Sequence, residues 1–568
     1  MSEMTLPAWA TELRNRYLAG EASLFLIHGN VRDLHAWTVD GETTYLDIRG
    51  FLEEFLTRTR DVVAYHNVSQ GMQFAGAGHK SLFKSIVDGR RMARGEGKLS
   101  GLPATATGAI PVFEDLITEP SHSSAVIMDF FEMIAPNADV SFMVHEDKAN
   151  LVSLQRWSSD PAFLATDNLV ILVTEHLSDI SRRIVASPQL ATIHLNFPDV
   201  DERETYITAQ DLSDVKSDLV PSMIAKVTAG LSLLQIRALL RGAALTGDTV
   251  TFKMVSKRKK KIIEQECHGL VEFIAPNHTF NHVGGMERIK RDLMRVADAV
   301  KAGRKNQVPM GMIFVGPMGT GKTFVAEAFA TECGLTCLKL KNFRDKWVGS
   351  TEGNLEKVLE LVEALGYVLL ILDEADRSMS SGEGSDGGVN SRVIARLKEF
   401  MSDTSHRGKV VILMMTNRPD KLDVDLKRPG RFDMKIPFFF PEEASERKLI
   451  YEALVRKNKL KMVEDIDYEF GVEETEGYSG AELEAILLAA SGLAADEDSD
   501  IIGQDHLDQA VRDVIPSRDT RMLEYMEMLA VFESSAKRML PDRFRDIPTE
   551  EVQERIDQLR AMLGRRAL

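Results

Sequence analysis

The most regular feature of the chain is a set of short, uninterrupted apolar runs. Residues 312–315, 367–372 and 410–415 are such runs, and residues 324–330, after the first of them, have helical spacing. A continuous apolar run is typical of a parallel strand that is covered on both faces. We therefore predict an α/β fold with a parallel sheet for the second half of the chain.

The first half carries a similar series of segments in the same order. Apolar runs end near Asn30, Phe130 and Glu175, at places that correspond to the three runs of the second half. Two later segments also have counterparts, 197–203 with 440–447 and 228–236 with 475–483. Because the order is kept, we predict that the first half is a second copy of the same α/β module.

Length and composition are those of an ordinary globular protein. The 568 residues suffice for three or more domains, and 44% are hydrophobic and 27% charged. No apolar run approaches the roughly 20 residues of a membrane helix, and the first residues lack the basic-then-apolar block of a signal peptide. Three cysteines are too few for a disulfide framework. We expect no membrane span and a cytoplasmic location.

The net charge of −17 argues against a nucleic-acid partner, because duplex binding depends on clustered cations. One basic run, residues 257–261, departs from this balance. It could dock on nucleic acid or mark nuclear import, but the favoured interpretation is a solvated start to a linker helix.

A phosphate-binding motif follows the first apolar run of the second half. Residues 316–323 fit G-x-x-x-x-G-K-[ST] between a predicted strand and a predicted helix, the context that this motif requires. Glycines let backbone N–H groups turn towards phosphate oxygens, and the helix N-terminus adds partial positive charge. Lys322 is expected to reach the β- and γ-phosphates of ATP, and the Thr323 hydroxyl to hold Mg²⁺. The candidate residues are Gly316, Pro317, Met318, Gly319, Thr320, Gly321, Lys322 and Thr323.

Polar residues follow the other two apolar runs. Asp373 and Glu374 end one run, and Asn417 follows the next. Asp373 can hold the Mg²⁺ shell, while Glu374 can orient and polarise the attacking water. The amide of Asn417 could lie between that water and the γ-phosphate. The pattern predicts ATP hydrolysis.

Two arginines lie three positions apart on a Pro-Gly turn. Arg428 and Arg431 cannot easily point back at the nucleotide of their own subunit. An arginine supplied by a neighbour to the γ-phosphate is worth ~10³–10⁵ in rate. We therefore predict that activity requires a ring of subunits.

From residues 280–286 through 477–483 the sequence resembles the classical clade of AAA ATPases, which contains katanin, spastin and the membrane-fusion and segregase motors. The resemblance implies a P-loop parallel-sheet module with a small helical lid that works as a homo-oligomer, a hexamer. It implies that Val283 and Gly284 line the adenine site, that Asn417 is the polar sensor, and that Gly480 and Ala481 close the lid. It further implies that Arg428 and Arg431 act in trans, and that Lys346, Trp347 and Val348 form a loop facing a central pore.

The first copy lacks the residues that carry this chemistry. No Gly-Lys-Thr follows the strand that ends near Asn30, Asp129 is followed by Phe130, and no Arg-Pro-Gly-Arg turn occurs between Thr174 and Phe197. We predict a degenerate AAA-like α/β module that does not hydrolyse ATP. The tandem arrangement is similar to that of poorly understood AAA proteins of plastids and cyanobacteria.

These observations predict five segments. They are a degenerate module at 1–250, a linker helix at 251–278, the active large domain at 279–440, its lid at 441–515, and C-terminal helices at 516–568. We expect the last helices to pack on the lid or on a neighbouring subunit, with a partner-binding tail as the alternative.

The function predicted from the sequence is an ATP-hydrolysing, ring-forming motor that remodels or threads protein substrates through a central pore. The alternatives are a motor that acts on nucleic acid and a nucleotide-gated assembly scaffold. His145-Glu146 lacks the second histidine of H-E-x-x-H, which argues against a fused zinc protease.

Overall fold

The computed structural model of the protein describes nearly the whole chain. The described residues are 4–138, 141–187, 189–210, 215–267, 269–275, 278–341, 351–374, 387–517 and 519–564. They divide into two compact units, Met1–Lys259 with Glu352–Ala364, and Lys260–Thr351 with Leu365–Leu568. We call these the amino-terminal and the carboxyl-terminal unit and describe each by itself.

The amino-terminal unit contains nine strands among its described residues. The strands are β1 (Met4–Thr5), β2 (Leu24–Gly29), β3 (His35–Val39), β4 (Glu42–Leu46), β5 (Val62–Asn67), β6 (Gly71–Phe74), β7 (Ser124–Met128), β8 (Leu169–Val173) and β9 (Leu190–Leu195). Its helices are α1 (Ala8–Leu18), α2 (Ile48–Leu56), α3 (Ala77–Ala93), α4 (Ala106–Ile117), α5 (His145–Trp157), α6 (Pro161–Leu164), α7 (Arg182–Val185), α8 (Val200–Ala209), α9 (Pro221–Val227) and α10 (Leu233–Thr246). Helix α11 (Phe252–Glu266) contains the boundary between the units at Lys259.

The main sheet of this unit has the order β6-β5-β7-β8-β2-β9. All pairs are parallel except the edge pair β5–β6. Every residue of β7 and β8 is buried, because apolar side chains pack on both faces of the sheet. Strands β1, β3 and β4 form a separate antiparallel sheet.

The carboxyl-terminal unit has the same architecture with a longer helical part. Its described strands are β10 (Val271–Ile274), β11 (Gly311–Val315), β12 (Thr336–Leu340), β13 (Val368–Leu372), β14 (Val410–Thr416), β15 (Phe432–Pro437), β16 (Lys461–Met462) and β17 (Ile501–Ile502). The helices that follow α11 in the chain are α12 (Glu287–Lys301), α13 (Lys322–Cys333), α14 (Thr351–Leu365), α15 (Gly387–Ser402), α16 (Ala444–Asn458), α17 (Glu469–Glu473), α18 (Gly480–Asp496), α19 (Gln504–Asp513), α20 (Thr520–Glu533), α21 (Asp542–Arg545) and α22 (Thr549–Leu563). Residues 352–364 of α14 belong to the amino-terminal unit.

The main sheet of the carboxyl-terminal unit has the order β10-β12-β13-β14-β11-β15. The five strands from β12 to β15 are parallel, and β10 adds an antiparallel edge. Strand for strand, β12-β13-β14-β11-β15 matches β5-β7-β8-β2-β9 of the other unit. The predicted α/β fold with two copies of one module is therefore confirmed.

A helical lid follows β15. Helices α16 to α19 share a core that includes Tyr451, Leu483 and Leu507. Helix α18 begins with a reciprocal capping box between Ser479 and Glu482, which satisfies backbone donors at its first turn.

The C-terminal helices pack differently from the expectation. Ser517 donates a backbone N–H to Glu482 of the lid at 2.6 Å, but the main contacts are with the large domain of the same chain. Ser535 donates its N–H to the Lys435 carbonyl of β15 at 3.1 Å, and the buried Met539 joins the apolar core beside the sheet. Sequence periodicity shows that a helix has an apolar face, but it does not show which surface that face covers.

The basic run 257–261 lies within α11, as a linker helix requires. Arg258 donates to the Leu239 carbonyl at 3.2 Å, and Lys259 donates to the Val227 carbonyl at 3.2 Å. Burial lowers the pKa of Lys259 to about 8. Lys260 donates to the Phe273 carbonyl at 2.8 Å. Three of the five cations thus bind within the chain.

Among the helices of the described residues, none combines the length and the apolar character that a bilayer span requires.

Candidate nucleotide-binding site

The loop between β11 and α13 is shaped by its glycines. Gly316, Gly319 and Gly321 have positive φ angles of 143°, 81° and 83°. A Cβ atom on Gly316 would lie 2.2 Å from the carbonyl oxygen of Phe438, so no larger residue fits there. Helix α13 begins at Lys322 without a side-chain cap, which leaves the first N–H groups of the helix facing the loop.

The lysine of the motif folds back over the loop. Lys322 Nζ donates to the carbonyls of Gly316 and Pro317 at 2.9 and 2.7 Å. The ammonium group therefore lies against the loop, and Lys322 lines the cavity that a nucleotide phosphate chain could enter.

A cavity of about 600 Å³ opens over this loop. Most of the residues predicted for the site line it: Val283, Gly284, Met318, Gly319, Thr320, Gly321, Lys322, Thr323, Asp373, Glu374, Asn417, Gly480 and Ala481. The predicted loop residues Gly316 and Pro317 do not line the cavity and act instead as acceptors for Lys322. The structure thus brings together residues that are about two hundred positions apart in the sequence.

Two strand ends supply the polar groups opposite the loop. Asp373 and Asn417 follow the neighbouring parallel strands β13 and β14, so their side chains meet at one edge of the sheet. Glu374 has a left-handed backbone with φ of 48°, and its N–H donates to Asp373 Oδ1 at 3.0 Å. Asn417 Oδ1 is buried and has no hydrogen-bond partner among the described residues.

Close backbone approaches hold the lid beside the cavity. A Cβ atom on Gly284 would lie 2.4 Å from the Leu449 carbonyl oxygen in α16. At the other side, Ala481 donates its N–H to the Gly319 carbonyl at 3.2 Å. A Cβ atom on Gly319 would lie 2.8 Å from Ser479 Oγ. Glycine at 284 and 319 lets the lid helices approach the large domain.

The two arginines of the Pro-Gly turn lie outside this cavity. Arg428 Nε lies 3.1 Å from Asp425 Oδ1, and 70% of the Arg428 side chain is exposed. Arg431 donates to the Asp425 carbonyl at 2.8 Å. Neither side chain lines the nucleotide cavity of its own chain. The predicted pore residues Lys346, Trp347 and Val348 lie outside the described residues.

Several residues at the site were not predicted from the sequence. Lys339 on β12 lies 2.7 Å from Asp373, and its only sequence signal is a charged residue inside an apolar strand. Phe439, Met539, Pro541 and Asp542 also line the cavity, the last three from the C-terminal segment. No local pattern marks these residues, because their position follows from tertiary packing.

The cysteines near the site are packing residues. Burial raises the pKa of Cys333 and of Cys337 to about 12, so both are neutral thiols at physiological pH. Both are buried and free of disulfides.

The donor set fits a nucleoside triphosphate with a divalent cation. Gly316 and Gly319 leave no room for a Cβ atom, and the unpartnered Asn417 oxygen points to a missing hydrogen-bond donor such as water. Carboxylate and hydroxyl oxygens from Asp373 and Thr323 are the ligands that Mg²⁺ prefers. Fold and site together define a P-loop nucleotide-binding ATPase domain with a lid.

Comparison with known families supports this class and adds two domains that precede it in the chain. Residues 312–440 match the ATPase family associated with various cellular activities (AAA). Residues 2–196 match the N-terminal Rossmann-like domain of AAA+ chaperones, and residues 201–268 match the second helical domain of AAA+ chaperones. The chain belongs to the AAA+ ATPases and has the domain composition of the chaperone type.

Three relatives illustrate the similarity. The chain is 27% identical over 355 residues to the cell division cycle protein 48 homolog of Archaeoglobus fulgidus. The aligned region covers 57% of this chain and 47% of that protein. It is 30% identical over 318 residues to the ATPase family protein 2 homolog of Caenorhabditis elegans, covering 53% and 43%. It is 31% identical over 266 residues to the ATP-dependent zinc metalloprotease FtsH 1 of Sphaerobacter thermophilus, covering 45% and 40%. The chain spans less than half the length of these relatives.

Proposed function

We propose that this chain is an ATP-driven motor that assembles into a homo-hexameric ring and remodels protein substrates through its central pore. The observation that carries the proposal is the cavity in which the glycine loop, Asp373, Glu374 and Asn417 converge. The lid helix α18, bonded to the loop through Gly319 and Ala481, supplies an element that can move with the nucleotide.

The reaction is the attack of water on the γ-phosphorus of ATP. A bond forms between the water oxygen and phosphorus, the bond to the β–γ bridging oxygen breaks, and ADP and inorganic phosphate leave. Glu374 orients the water, and Asn417 Oδ1 accepts a hydrogen bond from it. Lys322 binds the β- and γ-phosphates. Thr323 and Asp373 would hold Mg²⁺, which would supply positive charge to offset the charge on the phosphate oxygens.

Arg428 and Arg431 complete the site of the adjacent subunit. Arg428 is the more exposed of the two, and Asp425 holds both on the same turn. A guanidinium group that reaches the γ-phosphate of a neighbour makes hydrolysis depend on assembly. The family resemblance gives six subunits.

The resemblance also supports threading, with Lys346, Trp347 and Val348 as the loop that grips the substrate. An aromatic ring followed by glycine offers a flat, sequence-tolerant apolar surface. We propose the domain boundaries predicted from the sequence for this motor. The three cysteines are buried and form no disulfide, which supports a cytoplasmic setting. The sequence has no H-E-x-x-H motif, so the protease activity in the name of one relative is not carried over.

The decisive experiment is the Glu374→Gln variant. It should bind ATP with nearly unchanged affinity and lose at least 100-fold in turnover, because the amide cannot polarise the water. Glu464→Gln is the matched control, since Glu464 is exposed on the lid. Turnover of Glu374→Gln close to that of the control would overturn the assignment.

The ring can be tested by mixing two inactive variants. Glu374→Gln retains its arginines, and Arg428→Ala with Arg431→Ala retains its own cavity. A mixture should recover ATPase activity if arginines act in trans, and should stay inactive if each chain works alone. Trp347→Ala should retain ATPase activity and lose protein remodelling, while intact remodelling would contradict the pore assignment.

A motor that acts on nucleic acid is the weaker alternative. Arg258, Lys259 and Lys260 of the basic run already bind carbonyl groups of the chain. Stimulation of the ATPase by DNA or RNA that disappears at higher salt would reverse this preference. A partner that binds the ATP-bound oligomer independently of Trp347 would favour the scaffold instead.

A further inference from the structure

The cleft of the amino-terminal unit retains the backbone of a nucleotide site. Gly29, at the end of β2, has φ of 95°, and a Cβ atom there would lie 2.5 Å from the Leu195 carbonyl of β9. Gly316 directly follows β11, and a Cβ atom on it would lie 2.2 Å from the Phe438 carbonyl oxygen. The strand registers therefore align Gly29 with Gly316, Asp129 with Asp373, and Glu175 with Asn417.

Even the unusual backbone of the catalytic glutamate is kept. Phe130 has φ of 53° and Glu374 has φ of 48°. The N–H of Phe130 donates to Asp129 Oδ1 at 2.8 Å, as the N–H of Glu374 donates to Asp373. The strand end is thus preserved while its side chain has changed from carboxylate to phenyl.

One arginine contacts Asp129, Phe130 and Glu175 together. Arg32 Nη1 lies 2.9 Å from Asp129 Oδ1, and Arg32 Nε lies 3.3 Å from Glu175 Oε1. Its guanidinium carbon lies 3.9 Å from the centre of the Phe130 ring. Three positions after Gly29, Arg32 aligns with Gly319 of the phosphate loop. A side-chain cation occupies the place where the other unit can hold Mg²⁺.

The next residue, Asp33, binds the lid helix of the same unit. Its carboxylate accepts the backbone N–H groups of Leu233 and Leu234 at 2.9 Å each, at the first turn of α10. Asn30 Nδ2 also donates to it at 2.9 Å. Asp33 is only 2% exposed. Burial raises the pKa of Asp33, and these donors oppose that effect.

A second carboxylate caps the helix that follows the vestigial loop. Asp47 accepts the N–H of Gly50 at 2.7 Å at the start of α2. The corresponding helix of the carboxyl-terminal unit, α13, has no side-chain cap. Helix N-termini attract anions, and in the amino-terminal unit both ends that face the cleft already have one from the chain.

An open groove of about 790 Å³ still lies over these residues. Its charged walls are Arg32, Arg49, Arg237, Asp47 and Asp129. Arg32 is bound to Asp129, and Asp47 accepts one backbone N–H at the start of α2. None of the described residues that line the groove is a glycine, so it lacks the glycine loop that lines the cavity of the other unit.

We propose that side chains of the amino-terminal module occupy the positions that nucleotide and metal would take in the carboxyl-terminal module. Arg32 takes the place of the metal cation and of the phosphate-loop lysine, while Asp33 and Asp47 take the place of nucleotide phosphates. The lid helix α10 is consequently docked without nucleotide, and each chain binds nucleotide only in its carboxyl-terminal module. This inference goes beyond the proposed motor function, because it concerns a module that takes no part in hydrolysis.

The first test is the number of nucleotides bound by the full chain. Equilibrium binding of ADP with Mg²⁺ should give one nucleotide per chain, and the Lys322→Ala variant should bind none. Nucleotide that still binds to Lys322→Ala at the same concentration would reveal a second site and overturn the proposal. If the unaltered protein bound no nucleotide at all, the ATPase assignment would fail, and the exchange experiment below would still decide the state of the lid.

The second test is amide hydrogen exchange of the two lid helices in the unaltered protein. The amides of Leu233 and Leu234 should exchange slowly and at the same rate with and without ADP and Mg²⁺. The amides of Gly480 and Ala481 should slow on addition of nucleotide. A nucleotide-dependent slowing at Leu233 and Leu234 would contradict a lid that is closed by the chain itself.

The Asp33→Asn variant links the exchange rate to the carboxylate. Loss of the charge should raise exchange at Leu233 and Leu234 at least tenfold. Asp218→Asn is the matched control, because Asp218 is exposed in the same unit. Unchanged exchange in Asp33→Asn would show that the Asp33 carboxylate does not hold the first turn of α10. If the variant proves unstable, the comparison with and without nucleotide in the unaltered protein decides the question alone.

Discussion

The ammonium group of Lys339 lies 2.7 Å from Oδ2 of Asp373, the carboxylate assigned to the Mg²⁺ shell. Lys339 lies on β12, and Asp373 directly follows the neighbouring parallel strand β13. Both side chains are partly buried, with 29% and 27% exposed. A built-in cation and the incoming metal ion therefore compete for the same carboxylate.

We predict that Lys339→Met lowers the Mg²⁺ concentration needed for half-maximal ATPase activity by about threefold. A partly exposed ion pair contributes about 0.5–1 kcal/mol, and its removal frees Asp373 for the metal. Lys341→Met is the control, because Lys341 pairs with Glu272. A higher Mg²⁺ requirement in Lys339→Met would show that the lysine assists metal binding instead.

A second prediction concerns the approach of the lid. Gly319→Ala should weaken ATP binding at least tenfold, because its Cβ would lie 2.8 Å from Ser479 Oγ. Gly334→Ala separates this clash from backbone strain: Gly334 has φ of 69°, and nothing lies within 4 Å of the position that its Cβ atom would take. Both variants should lose about 1 kcal/mol of stability. Equal ATP affinities in the two variants, measured by titration, would disprove the clash.

A third prediction concerns pH. Hydrogen bonding to Glu360 raises the pKa of His194 despite burial, and Glu363 and Glu356 add to the effect. The raised pKa means that protonation of His194 stabilises the fold below pH 6.5, and that this contribution is lost as pH rises through the raised pKa. The neighbouring ring of His28 lies 4.8 Å from that of His194 and opposes a second charge.

The measurement is thermal unfolding of the full chain against pH. His194→Gln should lower Tm at pH 6 and leave it nearly unchanged at pH 8.5. His145→Gln is the control, since His145 is exposed in the same unit. A loss of Tm in His194→Gln that is equal at both pH values would point to packing rather than to the ion pair.

A fourth prediction concerns the C-terminal helices. Glu533 on α20 is 8% exposed and binds both Lys427 and Lys435, the latter at 2.9 Å. Glu533→Ala should cost about 2–3 kcal/mol, because two partly buried lysines lose their counter-charge. It should also weaken nucleotide binding, since the segment after α20 lines the cavity through Met539 and Asp542.

Glu554→Ala is the control for this prediction, because Glu554 is exposed on α22. Urea unfolding and ADP titration measure the two effects. Normal nucleotide affinity in a destabilised Glu533→Ala protein would show that the C-terminal segment stabilises the fold without contributing to nucleotide binding.

Much of the fold was predictable because the buried strands are continuous apolar runs. The phosphate loop was predictable because glycines, lysine and threonine act within eight consecutive residues. Lys339 was not predictable, since its role depends on the register between β12 and β13. The place of Met539 in the cavity wall was not predictable either, since this residue lies about two hundred positions after the phosphate loop.

The amino-terminal module was likewise only partly predictable from the sequence. The missing carboxylate at Phe130 was visible in the sequence, and the order of the fragments predicted the second sheet. The binding of Arg32 to Asp129 and Glu175 was not visible, because three distant segments must first be placed side by side. For the C-terminal segment the expected contact with the lid is present at Ser517, but its packing on the large domain was not predicted, since an apolar face alone does not identify its partner.

The ion cluster around Arg32 has an evolutionary consequence. Arg32 is the shared partner of Asp129 and Glu175, so a change at Arg32 alone leaves two carboxylates without their cation. A reversal at Arg32 is therefore favoured only when the facing charges change with it. The cluster thus stabilises the present form of the cleft.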